Sequence, residues 1–168
     1  PRPLTSARDD AGHDVLGRER ADGDGDEAVN ELVVIATGTV PEAGPAEPRV
    51  IGVGSDGQPQ ADFVAAPRFS PDGRWLAWLR WNHPRMPWDG TELCVAPVFG
   101  GMRLGNTHVV AGGPAESIQG PDWTADGRLV FSTDANGWWN LHVWTPGSSR
   151  HQPLTALEGA EIGTPAWV

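Results

Sequence analysis

The stretch Ala65-Ala-Pro-Arg-Phe-Ser-Pro-Asp-Gly-Arg-Trp-Leu-Ala-Trp-Leu-Arg-Trp81 decides the fold. It divides into Phe69, a four-residue turn (Ser70-Pro71-Asp72-Gly73), and a run that is apolar at Trp75, Leu76, Ala77, Trp78, Leu79 and Trp81. Pro71 presets φ at the second turn position, and Asp72-Gly73 brings residues that tolerate left-handed backbone. A strand entering through Pro67 to Phe69 therefore reverses and leaves through Arg74 to Trp81 as a hairpin. The departing run is too continuously apolar for a sheet with one wet face, so both of its faces are expected to be covered.

The hairpin recurs. Gly120-Pro-Asp-Trp-Thr-Ala-Asp-Gly-Arg-Leu-Val-Phe-Ser132 sets Pro121 for Pro67, Trp123 for Phe69, Asp126-Gly127 for Asp72-Gly73 and Leu129 for Trp75, each 54 positions on. A third copy opens in Gly163-Thr-Pro-Ala-Trp167, with Pro165 standing 44 positions after Pro121. Repeats of about 40 to 50 residues built from several short strands are the signature of propeller blades.

Composition agrees. Gly 22 and Pro 16 in 168 residues suit many short strands joined by turns. No segment sustains a helical period, so the chain reads as all-β: a partial β-propeller of roughly three four-stranded antiparallel meander blades, its ring not closed. A formal net charge of −10 argues against nucleic acid or an anionic membrane as partner. Cys94 is the single cysteine, so no internal disulfide can form, and a cytoplasmic location is expected. No apolar run approaches a membrane span, and no signal peptide is recognisable. Because the chain begins at Pro1 and ends inside a repeat, it is expected to belong to something longer.

Residues 1–28 form an acidic segment centred on Asp22-Gly-Asp-Gly-Asp26, either disordered or the eroded start of a blade. A weak alignment favours the second alternative. Glu31-Leu32-Val33-Val34 resembles Glu92-Leu93-Cys94-Val95, and at the same offset Gly12 falls under Gly73. Asp9 to Arg20 then becomes a degraded turn and second strand. Residues 29–58 supply the second half of this first blade, with strands over Asn30–Thr37 and Pro48–Val53. A second blade spans 62–113, with strands over Phe63–Phe69, Arg74–Trp81, Glu92–Val98 and Thr107–Ala111. A third spans 114–158, with strands over Ser117–Trp123, Arg128–Thr133, Asn140–Trp144 and Gln152–Thr155. Residues 159–168 begin a fourth, its first strand over Glu161–Val168.

The motifs that could carry chemistry fail on spacing. Asp22, Asp24 and Asp26 suggest a calcium loop, but its sixth and twelfth positions would hold Glu27 and Val33 instead of Gly and Glu. No serine sits in a G-x-S-x-G elbow: Ser149 is followed by His151, and Ser55 is preceded by Val53. The five His show no metal-ligand spacing. Asp72 and Asp126 are turn residues by the repeat pattern rather than paired acids. The chain by itself is therefore expected to hold no catalytic residue, metal or cofactor.

The unusual segment is the loop Asn82-His-Pro-Arg-Met-Pro-Trp-Asp-Gly-Thr91, matched in the next blade by Asp134-Ala-Asn-Gly-Trp-Trp139. Connections in a meander alternate between two ends, so these loops share a rim with the link containing Glu116 and Ser117. That makes His83, Arg85, Trp88, Glu116, Trp138 and Trp139 candidates for facing a substrate or partner. The competing reading packs the three Trp between blades, each burying about 150–250 Å².

The residues also carry a resemblance. Phe69-Ser-Pro-Asp-Gly-Arg-Trp-Leu-Ala-Trp78, then Trp81-Asn-His-Pro-Arg-Met-Pro-Trp-Asp-Gly-Thr-Glu-Leu93, and later Gly137-Trp-Trp-Asn-Leu141, resemble the propeller of the prolyl oligopeptidase family of serine peptidases, in its acylaminoacyl-peptidase or dipeptidyl-aminopeptidase-like branch. The Phe-Ser-Pro-Asp-Gly turn is shared with TolB-type propellers; the long run from His83 to Leu93 is more specific. The resemblance covers about residues 12–168 and is strong from 62 onward. It implies a propeller of seven or so blades preceding a C-terminal α/β-hydrolase domain with a Ser-Asp-His triad. In that family the propeller caps the active site and admits short peptides. By this resemblance the chain is a non-catalytic part of such a cap, its partners that hydrolase domain and short or N-acylated peptides. Cys94 in place of a large aromatic, and Thr124-Ala125 in place of Ser-Pro, depart from the family pattern. Two alternatives stand beside it: a TolB-type propeller serving as an interaction module, and a remnant without independent function.

Overall fold

The computed structural model describes residues 7–8, 13–21, 28–36, 47–52 and 60–163, and every regular element among them is a β-strand. Three antiparallel sheets follow one another along the chain. The first orders β1 (Ala7–Arg8), β2 (His13–Ala21), β3 (Ala28–Ala36) and β4 (Arg49–Ile51) as a meander. β2 and β3 pair without a break from His13↔Ala36 to Ala21↔Ala28. The amino-terminal acidic segment thus contributes two strands to this sheet; the aspartates at 22, 24 and 26 lie outside the described residues.

The second sheet holds β5 (Phe63–Phe69), β6 (Trp75–Trp81) and β7 (Glu92–Phe99), then β8 (Arg103–Leu104) and β9 (His108–Gly112). Both β8 and β9 pair with β7, so a short hairpin that the sequence reading did not anticipate precedes the outer strand. The third sheet runs β10 (Ile118–Trp123), β11 (Leu129–Thr133), β12 (Asn140–Trp144) and β13 (Gln152–Pro153). Its outer strand is shorter than the four residues expected. The strand expected from Glu161 is not seen at 161–163, and 164–168 lie outside the described residues. β5 is the strand where the sheets meet: it touches β1, β2 and β3 of the first sheet and β10 of the third.

The deciding hairpin closes through hydrogen bonds that its sequence encodes. Gly73 N donates to Ser70 O at 2.9 Å, and Ser70 N to Trp75 O at 2.9 Å. Gly73 takes φ +67, while Asp72 does not enter the left-handed region. Asp72 acts through its side chain instead: one carboxylate oxygen accepts from Ser70 Oγ at 2.6 Å, the other from Arg74 Nε at 2.6 Å. The second turn repeats the arrangement. Gly127 has φ +81, and Asp126 accepts from both the Thr124 hydroxyl and Arg128 Nε. Thr124 thus replaces Ser70 without loss of the turn.

β6 and β7 are covered on both faces, as their apolar runs demanded. One face of the pair (Leu76, Trp78, Cys94, Ala96) packs with Leu32, Val34, Ile51 and Met102 against the first sheet. The other (Ala77, Leu79, Leu93, Val95) packs with Ile118, Leu129, Phe131 and Trp144 of the third. Period-2 alternation thus sends successive residues of one strand into two different cores. Polar struts add to the apolar seams. Arg49 Nη2 donates to Gly101 O at 2.6 Å, tying the first sheet to the second. Trp123 Nε1 donates to Arg68 O at 3.1 Å, tying the third sheet to the second.

The candidate rim and its relatives

Residues 82–90 fold into an ordered loop rather than an open excursion. At its base, Asn82 Oδ1 accepts from Asp62 N at 2.8 Å, and Asp62 Oδ2 accepts from His83 N at 2.8 Å. His83 lays its ring edge-on against Phe63 with centroids 4.7 Å apart. Arg85 N closes a turn onto Asn82 O at 3.1 Å, and its side chain is exposed. At the tip, Asp89 N donates to Met86 O and Asp89 Oδ2 accepts from Met86 N, both at 2.9 Å. This double closure presents Met86 (46% exposed) and Trp88 (48%) to solvent.

The loop then seats on its neighbour. Thr91 N donates to Glu116 O at 3.0 Å, and Gly113 N donates to Thr91 O at 2.9 Å. A Cβ at Gly90 would stand 2.4 Å from Gly113 O, so only glycine fits where the two segments cross. Glu116 Oε1 accepts from Thr133 Oγ1 at 2.6 Å, and Ser117 N donates to Asp134 Oδ1 at 2.7 Å. Buried Thr91 Oγ1 accepts from Ile118 N at 2.7 Å. The structure therefore brings together the 82–91 loop, the 113–117 link and the start of the 134–139 loop at one rim, as the meander required.

In the third sheet buried Asn140 organises that last loop. Its Nδ2 donates to Asn136 Oδ1, Trp138 O and Leu157 O, and its Oδ1 accepts from Leu157 N at 2.7 Å and Thr155 Oγ1 at 2.9 Å. Trp138 is 37% exposed; Trp139 is half-buried, and its carbonyl accepts from Ile162 N at 2.7 Å. Trp88 and Trp138 keep between a third and a half of their surface exposed. Aromatic packing between blades is seen for Trp75, Trp123 and Trp144, at the opposite ends of their strands. Trp144 stands edge-on to Trp75 at 5.8 Å and to Trp123 at 6.5 Å.

Of the six candidates, half-buried Glu116 joins two blades through its carbonyl, on Thr91 N, and holds Thr133 of its own blade with its side chain. Asn140 and Thr91 were missed by the sequence reading, because a lone Asn or Thr beside a turn carries no pattern that marks it as buried. Among the described residues no group of three or more His, Cys, Asp or Glu converges as a metal site. Cys94, fully buried, has its thiol pushed up to about 12 by desolvation, which leaves it unreactive. A hollow lined by Glu31, Ile51, Gln60 and Val64 between the first and second sheets holds about 10 Å³, roughly one water.

Known structures agree with this architecture. A puromycin hydrolase crystallised as its S511A mutant superposes with TM-score 0.77 and 35% identity over 94% of this chain and 23% of its own length. A puromycin-hydrolyzing peptidase of Mycobacterium tuberculosis gives 0.70 and 30% over 92% and 24%. Far lower identity accompanies prolyl oligopeptidase B of Galerina marginata (12%, TM-score 0.60, 89% and 20% covered) and TolB of Acinetobacter baumannii (16%, 0.56, 92% and 32%), which share the fold. The chain thus spans about a quarter of the length of the puromycin-hydrolysing enzymes. No protein-family model and no curated protein matches it. Fold and likeness define the class, a partial β-propeller. Within that class the chain is similar over nearly its whole length to a stretch of the puromycin hydrolases, and it shares its fold with prolyl oligopeptidases.

Proposed function

We propose that this chain is the non-catalytic propeller portion of a prolyl-oligopeptidase-like serine peptidase, joined to a C-terminal α/β-hydrolase domain and working in the cytoplasm. The observation that carries the reading is the 35% identity maintained over 94% of the chain with a puromycin hydrolase. The rim supplies the role. Exposed Trp88, Met86 and Trp138 offer apolar and aromatic contact to a peptide side chain, and Arg85 offers a cation to a carboxylate. Both loops are braced at their bases, so they can limit the size of what enters without being displaced by it. The substrate class is short or N-acylated peptides; the names of the similar enzymes record hydrolysis of puromycin. An interaction module of the TolB type is not favoured, since that likeness rests on 16% identity.

The test is made on an extract of the source cell, with an antibody against this chain and a fluorophosphonate probe for active serine hydrolases. A band several-fold heavier than 17.9 kDa that carries the label is the expected result. An unlabelled band near 17.9 kDa overturns the proposal.

A further inference from the structure

The outer edge of the third sheet carries two imidazoles that the rim does not use. His142 lies in β12, opposite Pro153 of β13, and His151 immediately precedes that strand. Their Nδ1 atoms stand 2.8 Å apart, with ring centroids at 4.9 Å. Both rings lean on Phe131, at 6.0 and 5.4 Å between centroids. Phe131 is fully buried and belongs to the core between the second and third sheets. The two imidazoles are therefore part of what covers it.

A hydrogen bond between two Nδ1 atoms needs one ring to donate and the other to accept. A second proton removes the acceptor and places two cations in contact. The charges that reach His142 are those of His151 and Glu116, and Glu116 is already engaged by Thr133. β11, β12 and β13 bring no other ionisable side chain, and Arg150 beside His151 is exposed. The second sheet meets this core with Leu93, Val95 and Ala111; its titratable residue there is exposed His108, in register with Val95. Burial first, and His151 second, hold His142 below the usual histidine range. The ladder beside this pair is short: β12 and β13 meet at two positions, one of them a proline. The segment is otherwise held by Trp144 Nε1 on Ser148 O before it and by Leu154 N and Thr155 N on Leu141 O after it.

We propose that His142 and His151 form an acid-released latch. While at least one ring is neutral, the pair holds the chain from Thr145 to Pro153 on the blade and keeps Phe131 covered. When both are charged, the segment leaves the edge and the seam between the second and third sheets loosens. The sign follows from linkage. A histidine whose folded pKa is depressed contributes stability that is present above the unfolded value of 6.5 and is lost as pH falls through it towards the depressed value.

Amide hydrogen exchange, corrected for intrinsic rates, tests this in the protein as its own gene expresses it, at about pH 8 and about pH 5, the two limits of the histidine range. Amides between Leu141 and Gln152 are expected to exchange several-fold faster in acid, while those of β6 and β7 keep their protection. His151→Asn, which donates and accepts but does not charge, is expected to abolish the difference. A wild-type profile that does not change with pH overturns the proposal. So does an acid response that persists in His151→Asn. If His142→Asn also folds, persistence there counts equally against it, while a control His83→Asn must leave the response intact.

Discussion

Asp72 shows how much one side chain does in a turn of four residues. The Ser70 hydroxyl foremost, then Arg74, hold its carboxyl down at about 2. A carboxylate whose folded pKa is depressed contributes stability that is present above the unfolded value of 3.8 and is lost as pH falls through the folded one. Asp72→Asn keeps the shape and removes the charge. Because the group is largely exposed, the cost is discounted to about 1 kcal/mol at neutral pH. Urea denaturation should show that gap closing as pH drops from about 4 to about 2. A gap independent of pH would mean that the amide's geometry, not the lost charge, causes the effect. The turn was legible at this scale because Ser-Pro-Asp-Gly has few other uses. The division of labour was not: the sequence reading credited Asp72 with backbone tolerance, whereas only Gly73 uses it. Nor could sequence reveal that Asn140 would stand within hydrogen-bond distance of five polar partners, since these extend from Asn136 to Leu157.

Between residues and molecule, the blade is held by its hairpins and by what lies between them. The repeat at 54 positions made both hairpins legible, and the apolar run Trp75 to Leu79 made the double coverage of β6 legible. The bulges were not read. β5 shifts register between Ala65 and Arg68, and β10 between Gln119 and Asp122. At each shift a residue with positive φ (Ala66 at +49, Gly120 at +54) precedes a buried proline. Proline lacks the N–H that an unbroken ladder would use, so the bulge places it where none is needed. The tryptophans of the seam make a prediction at this scale. Trp144 is 6% exposed and meets both Trp75 and Trp123 edge-on. Trp144→Ala is expected to cost about 3–5 kcal/mol by the usual loss for a large buried aromatic. A double-mutant cycle with Trp75→Ala should recover about 1 kcal/mol of coupling from the ring pair. Coupling indistinguishable from zero would mean that each ring contributes through burial alone.

Across the whole molecule, three sheets placed side by side leave one face of the third without a following sheet among the described residues. Val130 and Leu141 on that face are half-buried, and the described chain that reaches it arrives at Ser132, whose hydroxyl donates to Ile162 O at 2.7 Å. An apolar sheet face of this kind, with the short strands β9 and β13 presenting backbone at the outer margins, is a template for association. Charge opposes it: at a formal −10 the copies repel one another, and salt screens that repulsion within about 10 Å at 0.1 M. Residues 1–168 expressed by themselves are therefore expected to self-associate in a way that grows with both protein concentration and salt. Sedimentation velocity from low to moderate ionic strength measures this directly. Charged substitutions at Val130 and Leu141 on that face should abolish the association. A concentration-independent monomer with a single cooperative melt would show instead that three blades can bury enough apolar surface to stand alone.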